Sequence, residues 1–450
     1  MNAPQSVPFR PTLTRGEGVH VWDAAGSRYL DATSGAFCMQ LGYSRADLVS
    51  AMAEAAASLP HVRPSSFDSL EARAYRAALL DEAGPPFTRV LLTSSGSDAV
   101  DLAIKAAWWY QRARGEGDRS EILSLSGHYH GATLSTLART GWTARRAPFA
   151  PLVGDAAFGP PAYCARCFRG LTHPACGIAC AEEALRETGG AAAFLAETVP
   201  AAGLAAAVPP AGWVDRVRTL CDEGGLLWIA DEVLTGFGRA GSLFAYQRLA
   251  EREKSGATPD LVVFGKGASA GYFPLSGVLV SERVAAALEG GDVPFRHAQT
   301  FGESPVACAV GRRALAAYQE ERVFADVRGR EGEAQRAFEP LLENPAVLEV
   351  RGIGALWGVE LAQPGPGRAP YPRTRRLAEE VSEGCRARGV LVHASTGFTP
   401  EGLGDAILMA PPLVTDPDSY RVIADALRVS IEAAVPAGVG GPWIEEWEDR

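Results

Sequence analysis

An apolar run that leads into one lysine between two glycines is found at Leu261-Val262-Val263-Phe264-Gly265-Lys266-Gly267. Apolar residues bounded by glycine predict a buried strand of an α/β protein. In such folds the ligand crevice lies at the carboxyl ends of the strands. Lys266 is expected there, where partial desolvation would lower the pKa of its amine toward the range useful for a nucleophile or base. The alternative is a lysine whose ammonium group extends from the strand end into water.

A second predicted strand also ends in a charge, at Leu226-Leu227-Trp228-Ile229-Ala230-Asp231-Glu232-Val233. A carboxylate beside a lysine suits a pyridoxal phosphate site, because the lysine can form the Schiff base while the carboxylate keeps the pyridine nitrogen protonated. Asp231 could instead cap the following turn. A Walker A loop is excluded, since Asp260 occupies the first glycine position of that motif and Gly267 follows the lysine.

The composition is that of an ordinary globular protein, with 450 residues, 47% hydrophobic and 21% charged. This length predicts about two or three domains. A net charge of −10 argues against nucleic acid as a main partner. We find no signal pattern in residues 1–10 and no apolar span long enough to cross a membrane. Eight cysteines in a chain of this size favour a reduced, cytoplasmic protein.

A phosphate-binding segment is predicted after the short strand Val90-Leu91-Leu92-Thr93. Ser94-Ser95-Gly96-Ser97-Asp98 begins a helix that runs to about Arg114. Small residues at a helix start expose backbone N–H groups, and the macrodipole adds positive potential. The simpler reading is a Ser/Asp N-cap, which the segment also supplies.

Three further segments contain polar residues in loops or at a strand end. Tyr129, in Gly127-His128-Tyr129-His130-Gly131, could stack on a planar ring or serve only in loop packing. Glu197 ends the strand predicted at 192–198. Cys164, Cys167, Cys176 and Cys180 could bind zinc, but their spacing is unusual for a zinc ribbon and packed free thiols are favoured.

Strands and helices alternate from about residue 89 to 281, which predicts one large doubly wound domain. The last hundred or so residues predict a smaller α+β unit. The predicted division is 1–70 as an N-terminal segment of the small domain, 71–320 as the large cofactor-binding domain and 321–450 as the C-terminal small domain. Residues 1 to about 18 are expected to be loosely ordered.

The ordered set of motifs resembles the class III (ornithine/ω-amino acid type) aminotransferases over nearly the whole chain. The segments that carry the resemblance are Ser95-Gly96-Ser97-Asp98-Ala99-Val100, Tyr129-His130-Gly131, Asp231-Glu232-Val233-Leu234-Thr235-Gly236-Phe237-Gly238-Arg239, Gly265-Lys266-Gly267, Gly271-Tyr272-Phe273-Pro274-Leu275 and Thr300-Phe301 ahead of Pro305-Val306-Ala307-Cys308-Ala309. The resemblance implies an α/β protein of fold type I, with a large, mostly parallel, doubly wound sheet domain and a smaller α+β domain. It also implies a ping-pong transfer of an amino group from an amine, ω-amino acid or amino acid to a carbonyl acceptor.

The resemblance implies a role for each candidate residue. Lys266 would carry the aldimine of pyridoxal 5′-phosphate, and Asp231 would pair with the pyridine nitrogen. Thr300 would reach the phosphate of the neighbouring subunit's cofactor, so a homodimer with shared active sites is implied. The implied catalytic residues are Lys266, Asp231 and Tyr129, and the implied cofactor-binding residues are Gly96, Ser97, Tyr129, His130, Glu197, Asp231, Val233, Lys266 and Thr300. No metal ligand is implied.

The substrate side of the site lacks the family's arginines. Phe37 and Cys38 are candidates for an apolar wall, although Cys38 could equally be core. Leu408 stands where ornithine-type members place a carboxylate-binding arginine, and Glu401 lies near the position of the mobile arginine of amine transaminases. Either the substrate is bulky or amine-rich, or another arginine binds its carboxylate. The candidates for that second case are Arg139, Arg145 and Arg146.

Other reactions use the same lysine and aspartate. An aminomutase, an epimerase or a decarboxylase therefore remains an alternative to the aminotransferase. A more remote alternative is a non-catalytic binding protein stapled by zinc at the four cysteines 164–180.

Overall fold

Alternating strands and helices make up the protein, whose computed structural model describes residues 11–186, 188–290, 293, 295–365 and 367–435. Within these ranges the strands are β1 Leu13–Glu17, β2 His20–Asp23, β3 Arg28–Asp31, β4 Phe87–Thr93, β5 Glu121–Leu123, β6 Ala191–Glu197, β7 Leu227–Asp231, β8 Leu261–Phe264, β9 Ser276–Ser281, β10 Val347–Ile353, β11 Leu356–Leu361, β12 Val390–Leu391, β13 His393–Thr396 and β14 Asp405–Met409. The α-helices are α1 Ser34–Phe37, α2 Ala46–Ser58, α3 Leu70–Ala83, α4 Gly96–Ala113, α5 Leu134–Arg139, α6 Thr143–Arg146, α7 Ala150–Val153, α8 Ala179–Ala184, α9 Trp213–Gly224, α10 Ala245–Glu253, α11 Glu282–Glu289, α12 Pro305–Glu320, α13 Val323–Phe338, α14 Leu377–Ala387 and α15 Pro417–Ala434. Short 3₁₀ helices lie at Ala147–Phe149, Cys164–Arg166, Lys266–Ser269, Glu339–Glu343 and Arg373–Arg375.

The central sheet has six strands in the order β4-β9-β8-β7-β6-β5. Pairing is parallel from β5 to β8, and β9 runs antiparallel to both β8 and β4. Alternate residues of β8 enter different cores, because Leu261 and Val263 join one hydrophobic cluster while Val262 and Phe264 join another. A strand buried on both faces needs no polar alternation. The mostly parallel, doubly wound sheet predicted from the sequence is confirmed, with β9 as its antiparallel member.

Local capping explains where α4 begins. The side-chain oxygen of Ser95 accepts a hydrogen bond from the backbone N–H of Asp98 at 3.2 Å, so α4 starts directly after β4. This contact is the expected N-cap interaction. It leaves the first N–H groups of α4 directed toward the carboxyl ends of the strands.

The C-terminal sheet has the order β10-β11-β14-β13; α13 and α14 pack against it, and α15 packs against these two helices. The segment predicted as one strand at 390–393 forms two strands of different sheets, because β12 pairs in parallel with β3 whereas β13 pairs with β14. Leu30 and Ala32 consequently lie in the same hydrophobic cluster as the C-terminal helices. Residues 1–10 lie outside the described ranges, while 13–17 form β1 rather than a loose lead-in.

Arg239 ties these parts together. Its guanidinium is fully buried and donates to the Ala355 carbonyl at 3.2 Å, to the Ser34 hydroxyl at 2.9 Å and to the Pro411 carbonyl. Burial lowers its pKa to about 10. The arginine therefore stays charged at neutral pH and joins the loop after β7 to the N-terminal and C-terminal segments.

In the described ranges, no helix combines the length and the apolar character that a membrane crossing requires.

Candidate active site

The register of the parallel strands places the predicted charges side by side. Glu197 pairs with Asp231, and Asp231 pairs with Val263, so two carboxylates end adjacent strands. Lys266 follows shortly after β8, the next strand. Because parallel strands end at one edge of the sheet, all three side chains converge there.

A cavity of about 400 Å³ lies at this edge. On one side it is lined by Gly96, Ser97, Tyr129 and His130. Glu197, Asp231, Val233 and Lys266 also line it. Eight of the nine cofactor-site residues implied by the resemblance therefore meet in one cavity. Thr300 is the exception, since it is exposed on the single chain.

Asp231 is buried and held in place by two contacts. One carboxylate oxygen lies 2.8 Å from Nδ1 of His130, and the other accepts the N–H of Val233 at 3.1 Å. Nε2 of His130 is buried and has no hydrogen-bond partner among the described residues. The Asp231 carboxylate is thereby fixed in position at the cavity wall.

Glu197 is a buried carboxyl group that binds two backbone donors. It accepts the N–H of Tyr129 at 2.8 Å and the N–H of Ala201 at 3.2 Å. Burial, and next the negative charge of Asp231, raise its pKa to about 7, against the opposing effects of His130 and the two N–H groups. Glu197 can therefore exchange a proton near neutral pH.

Lys266 sits in a turn with a left-handed backbone, at φ +41°. That conformation is uncommon outside glycine and indicates local strain at the strand end. Burial lowers the pKa of its amine, opposed by Asp231 and Glu197. The neutral amine of Lys266 therefore forms at a lower pH than the neutral amine of a surface lysine does.

Gly96 and Ser97 form a narrow opening at the start of α4. A methyl group on Gly96 would lie 2.9 Å from Cγ1 of Val233, so the helix start and Val233 are in close contact. The Ser97 hydroxyl accepts the N–H of Ala132 at 3.0 Å. The helix N-terminus supplies N–H groups and a positive dipole, which together suit a phosphate.

These groups fit pyridoxal phosphate. A phosphate at α4, a pyridine nitrogen at Asp231 and a carbonyl carbon at Lys266 satisfy the helix N-terminus, the buried carboxylate and the amine. Tyr129 and Val233 offer surfaces for the two faces of the ring.

A family profile described as "Aminotransferase class-III" matches residues 1–431. The chain belongs to the class III aminotransferases. This assignment confirms the family resemblance of the motifs and the dependence on pyridoxal phosphate. It favours amino transfer over the mutase, epimerase and decarboxylase alternatives, and over a non-catalytic binding protein.

Relatives in other organisms align with nearly the full chain of this aminotransferase. It is 31% identical to the adenosylmethionine-8-amino-7-oxononanoate aminotransferase of Nitratidesulfovibrio vulgaris, over 95% of this chain and 78% of that protein. It is 32% identical to the omega-aminotransferase of Caulobacter vibrioides, over 94% and 95% of the two chains.

Solved structures share its fold. An (S)-enantioselective omega-transaminase from Thermomicrobium roseum matches with a TM-score of 0.85 and 32% identity, covering 95% of this chain and 93% of that one. A PLP-bound amine transaminase from an uncultivated Pseudomonas species matches with a TM-score of 0.87 and 27% identity, covering 96% and 98%. The α/β fold expected for a fold type I enzyme is confirmed.

Of the residues considered for the substrate side in this region, one lines the cavity and the others lie elsewhere. Phe37 lines the cavity, whereas Cys38 is not among its lining residues. Leu408 is fully buried in the core. Glu401 does not line this cavity; it is exposed and lines a separate cavity of about 890 Å³ together with Arg146. Glu401 lies in the loop between β13 and β14.

The four cysteines of 164–180 are free thiols. Burial, and then the neighbouring Cys176 and Cys167, raise the pKa of Cys164, so these thiols lie near one another. Within the described ranges, however, no three His, Cys, Asp or Glu side chains are arranged to hold a metal ion. The zinc alternative has no support from this arrangement.

Sequence reasoning did not single out Trp142 and His393, which also line the cavity. A lone tryptophan and a lone histidine in short elements carry no local signal of a site. Glu232, next to Asp231, proves to be structural. It is fully buried, binds the Thr235 hydroxyl and accepts the N–H groups of Ala245 and Tyr246 at the start of α10.

Proposed function

We propose that this aminotransferase moves an amino group from an amine, an ω-amino acid or an amino acid to a carbonyl acceptor, with Lys266, Asp231 and Tyr129 as its catalytic residues. The observation that supports the proposal is the strand register that brings Lys266, Asp231 and Glu197 to one edge of the sheet. Pyridoxal phosphate, when bound, supplies the carbonyl that receives the amino group and the ring that withdraws electrons.

Lys266 is the proton-transfer group in this proposal. Its neutral amine takes the proton from the donor carbon that bears nitrogen, and its protonated form returns a proton to the acceptor carbon in the second half-reaction. The lowered pKa of its buried amine makes the neutral form accessible. Amino group and proton therefore leave the donor and arrive at the acceptor in two separate half-reactions, which gives ping-pong kinetics.

Asp231 keeps the pyridine nitrogen protonated, because a fixed negative charge favours the cationic form of its neighbour. His130 positions Asp231 through the 2.8 Å contact. Gly96 and Ser97 bind the phosphate, while Tyr129 and Val233 hold the ring between them. Glu197 lies beside Asp231 and completes the polar side of the cofactor site.

The proposed assembly is a homodimer in the cytoplasm, with Thr300 of each subunit reaching the phosphate in the other. Support comes from large apolar side chains that are exposed on the single chain: Phe67 is 68% exposed, Leu70 is 82% exposed and Phe301, next to Thr300, is 63% exposed. Free cysteines throughout the described ranges agree with a reducing compartment.

The chain contains only three lysines, Lys105, Lys254 and Lys266, which makes a direct test possible. Borohydride reduction of the holoenzyme followed by peptide mapping should place the cofactor on Lys266. Lys105 and Lys254 serve as internal controls, and a cofactor on either of them would refute the proposed role. A panel of amines and amino acids, followed by the change in cofactor absorbance, would then identify the donor.

A further inference from the structure

Two more polar groups, Arg145 and His393, line the active-site cavity. The guanidinium carbon of Arg145 lies 4.9 Å from the centroid of the Trp142 ring. Nε1 of Trp142 donates to the Thr396 carbonyl at 2.8 Å, so the start of α6 is held against the end of β13. This contact brings Arg145 beside His393, although the two come from distant parts of the chain.

Arg145 lacks an anionic partner. Arg145 is exposed, and among the residues that the structure describes its guanidinium forms no ion pair and no hydrogen bond. The other two candidate arginines are engaged elsewhere. Arg139 donates to the Ile122 carbonyl at 3.4 Å, and Arg146 donates to the Gly154 carbonyl and lines the neighbouring cavity.

His393 also has an unsatisfied group. Its Nε2 is buried and has no hydrogen-bond partner in the described part of the chain. Burial, with a smaller effect from Arg145, lowers its pKa to about 4, so the imidazole is neutral and can carry one N–H. Its ring packs edge-on against Phe37, with 5.2 Å between centroids.

Among the described residues, the carboxylates of the cavity form no ion pair with Arg145 and accept hydrogen bonds from other groups. Glu197 is bound by two backbone N–H groups, and Asp231 is bound by His130 and Val233. A cation and a neighbouring buried donor that both lack partners form a site for an anion from outside the protein.

We propose that Arg145 and His393 together bind the carboxylate of an amino-acid or 2-oxo-acid substrate. The inference rests on the proposed function, because the amino or carbonyl group of the same substrate must face Lys266. Arginine pairs with a carboxylate through two parallel N–H donors, and the His393 N–H adds a third. Arg145 would then bind the carboxylate in place of the arginines that are absent near Leu408 and Glu401. The proposal favours this alternative over a bulky or amine-rich substrate.

The kinetic test compares two acceptors that differ by a carboxylate, pyruvate and acetaldehyde, with one amine donor and the holoenzyme. Arg145→Gln should raise the KM for pyruvate about tenfold with little change in kcat, and leave the KM for acetaldehyde unchanged. Arg145→Lys should recover part of the loss. Arg146→Gln, on the same short helix, is the matched control and should behave like the native enzyme. An equal effect on both acceptors, or no effect, would overturn the inference.

A binding test does not depend on turnover. Propionate is titrated calorimetrically into the native holoenzyme and into the Arg145→Gln and His393→Leu variants. Its Kd should rise about tenfold in each variant. No binding to the native enzyme, or equal Kd values, would refute the carboxylate site. Failure of the proposed function would show itself differently, as an absence of any amine-dependent change in cofactor absorbance.

Discussion

Single side chains at the strand ends carry the chemistry, and Lys266 is the first to test. Lys266→Ala removes the only amine that lines the cavity among the described residues, but no part of the packed core. We expect turnover to fall by about three orders of magnitude or more. Steady-state assays measure the turnover, and circular dichroism checks that the variant keeps its fold. Lys254→Ala, at an exposed position, is the control. Substantial multiple-turnover activity in Lys266→Ala would contradict the assignment.

The raised pKa of Glu197 predicts that the stability of the cofactor-free protein depends on pH. Its pKa is about 7 when folded, raised from 4.5 chiefly by burial, so the folded state binds the proton more tightly than the unfolded state does. The stability contributed by this proton is complete below pH 4.5 and is lost as the pH rises through 7. The loss amounts to about 3 kcal/mol by linkage.

Glu197→Gln removes this titration. The free energy of unfolding of native protein minus that of the variant should therefore be larger at pH 5 than at pH 8. Urea unfolding at the two pH values measures the difference. Parallel pH profiles for the two proteins would show that Glu197 has an ordinary pKa.

At the scale of elements, the packing of α4 against the residue after β7 governs the cofactor site. Gly96→Ala would place a methyl group 2.9 Å from Cγ1 of Val233, so the start of α4 or Val233 would have to shift. We expect the affinity for pyridoxal phosphate to fall about tenfold. Equilibrium titration of the cofactor-free protein measures this change.

The same contact provides a rescue. Val233→Ala in the Gly96→Ala background removes the clashing methyl groups and should restore part of the affinity, while the contact that Val233 offers to the ring stays lost. Gly329→Ala in α13 meets no atoms within 4 Å and should leave cofactor affinity unchanged. If Gly96→Ala alone binds the cofactor normally, the helix start is more adaptable than its contacts indicate.

At the scale of the whole molecule, the proposed homodimer predicts a mass of twice 47.5 kDa by light scattering. Phe301→Asp should convert the dimer to monomers, because it places a charge on a large apolar side chain that is 63% exposed on the single chain. The monomer should also lose its cofactor more readily, since Thr300 would no longer reach it. Leu342→Asp, at another exposed apolar position, is the control. A monomeric native enzyme with full activity would exclude shared active sites.

Domain division belongs to this scale as well. The segments 1–70, 71–320 and 321–450 stay a proposal. Pairing of β3 with β12 agrees with a link between the N-terminal segment and the C-terminal domain.

Local sequence determined the central elements and the charged strand ends. The apolar run of β8 followed by Lys266, the run of β7 ending in Asp231 and the small residues at the start of α4 are signals within a few neighbouring residues. Parallel strands all end at one edge of the sheet, so strand pairing brings the residues of these segments together. Eight residues of the implied site therefore lie in one cavity.

Only the tertiary structure shows which residues line the proposed substrate side of the cavity. Arg145 and His393 meet because Trp142 and Thr396 are hydrogen bonded, and no local pattern in either segment encodes that contact. It likewise decided that Arg145, rather than Arg139 or Arg146, lines the cavity, and that Glu401 does not. The physical reason is that a strand end follows from short-range periodicity, whereas partners across loops depend on the packing of whole elements.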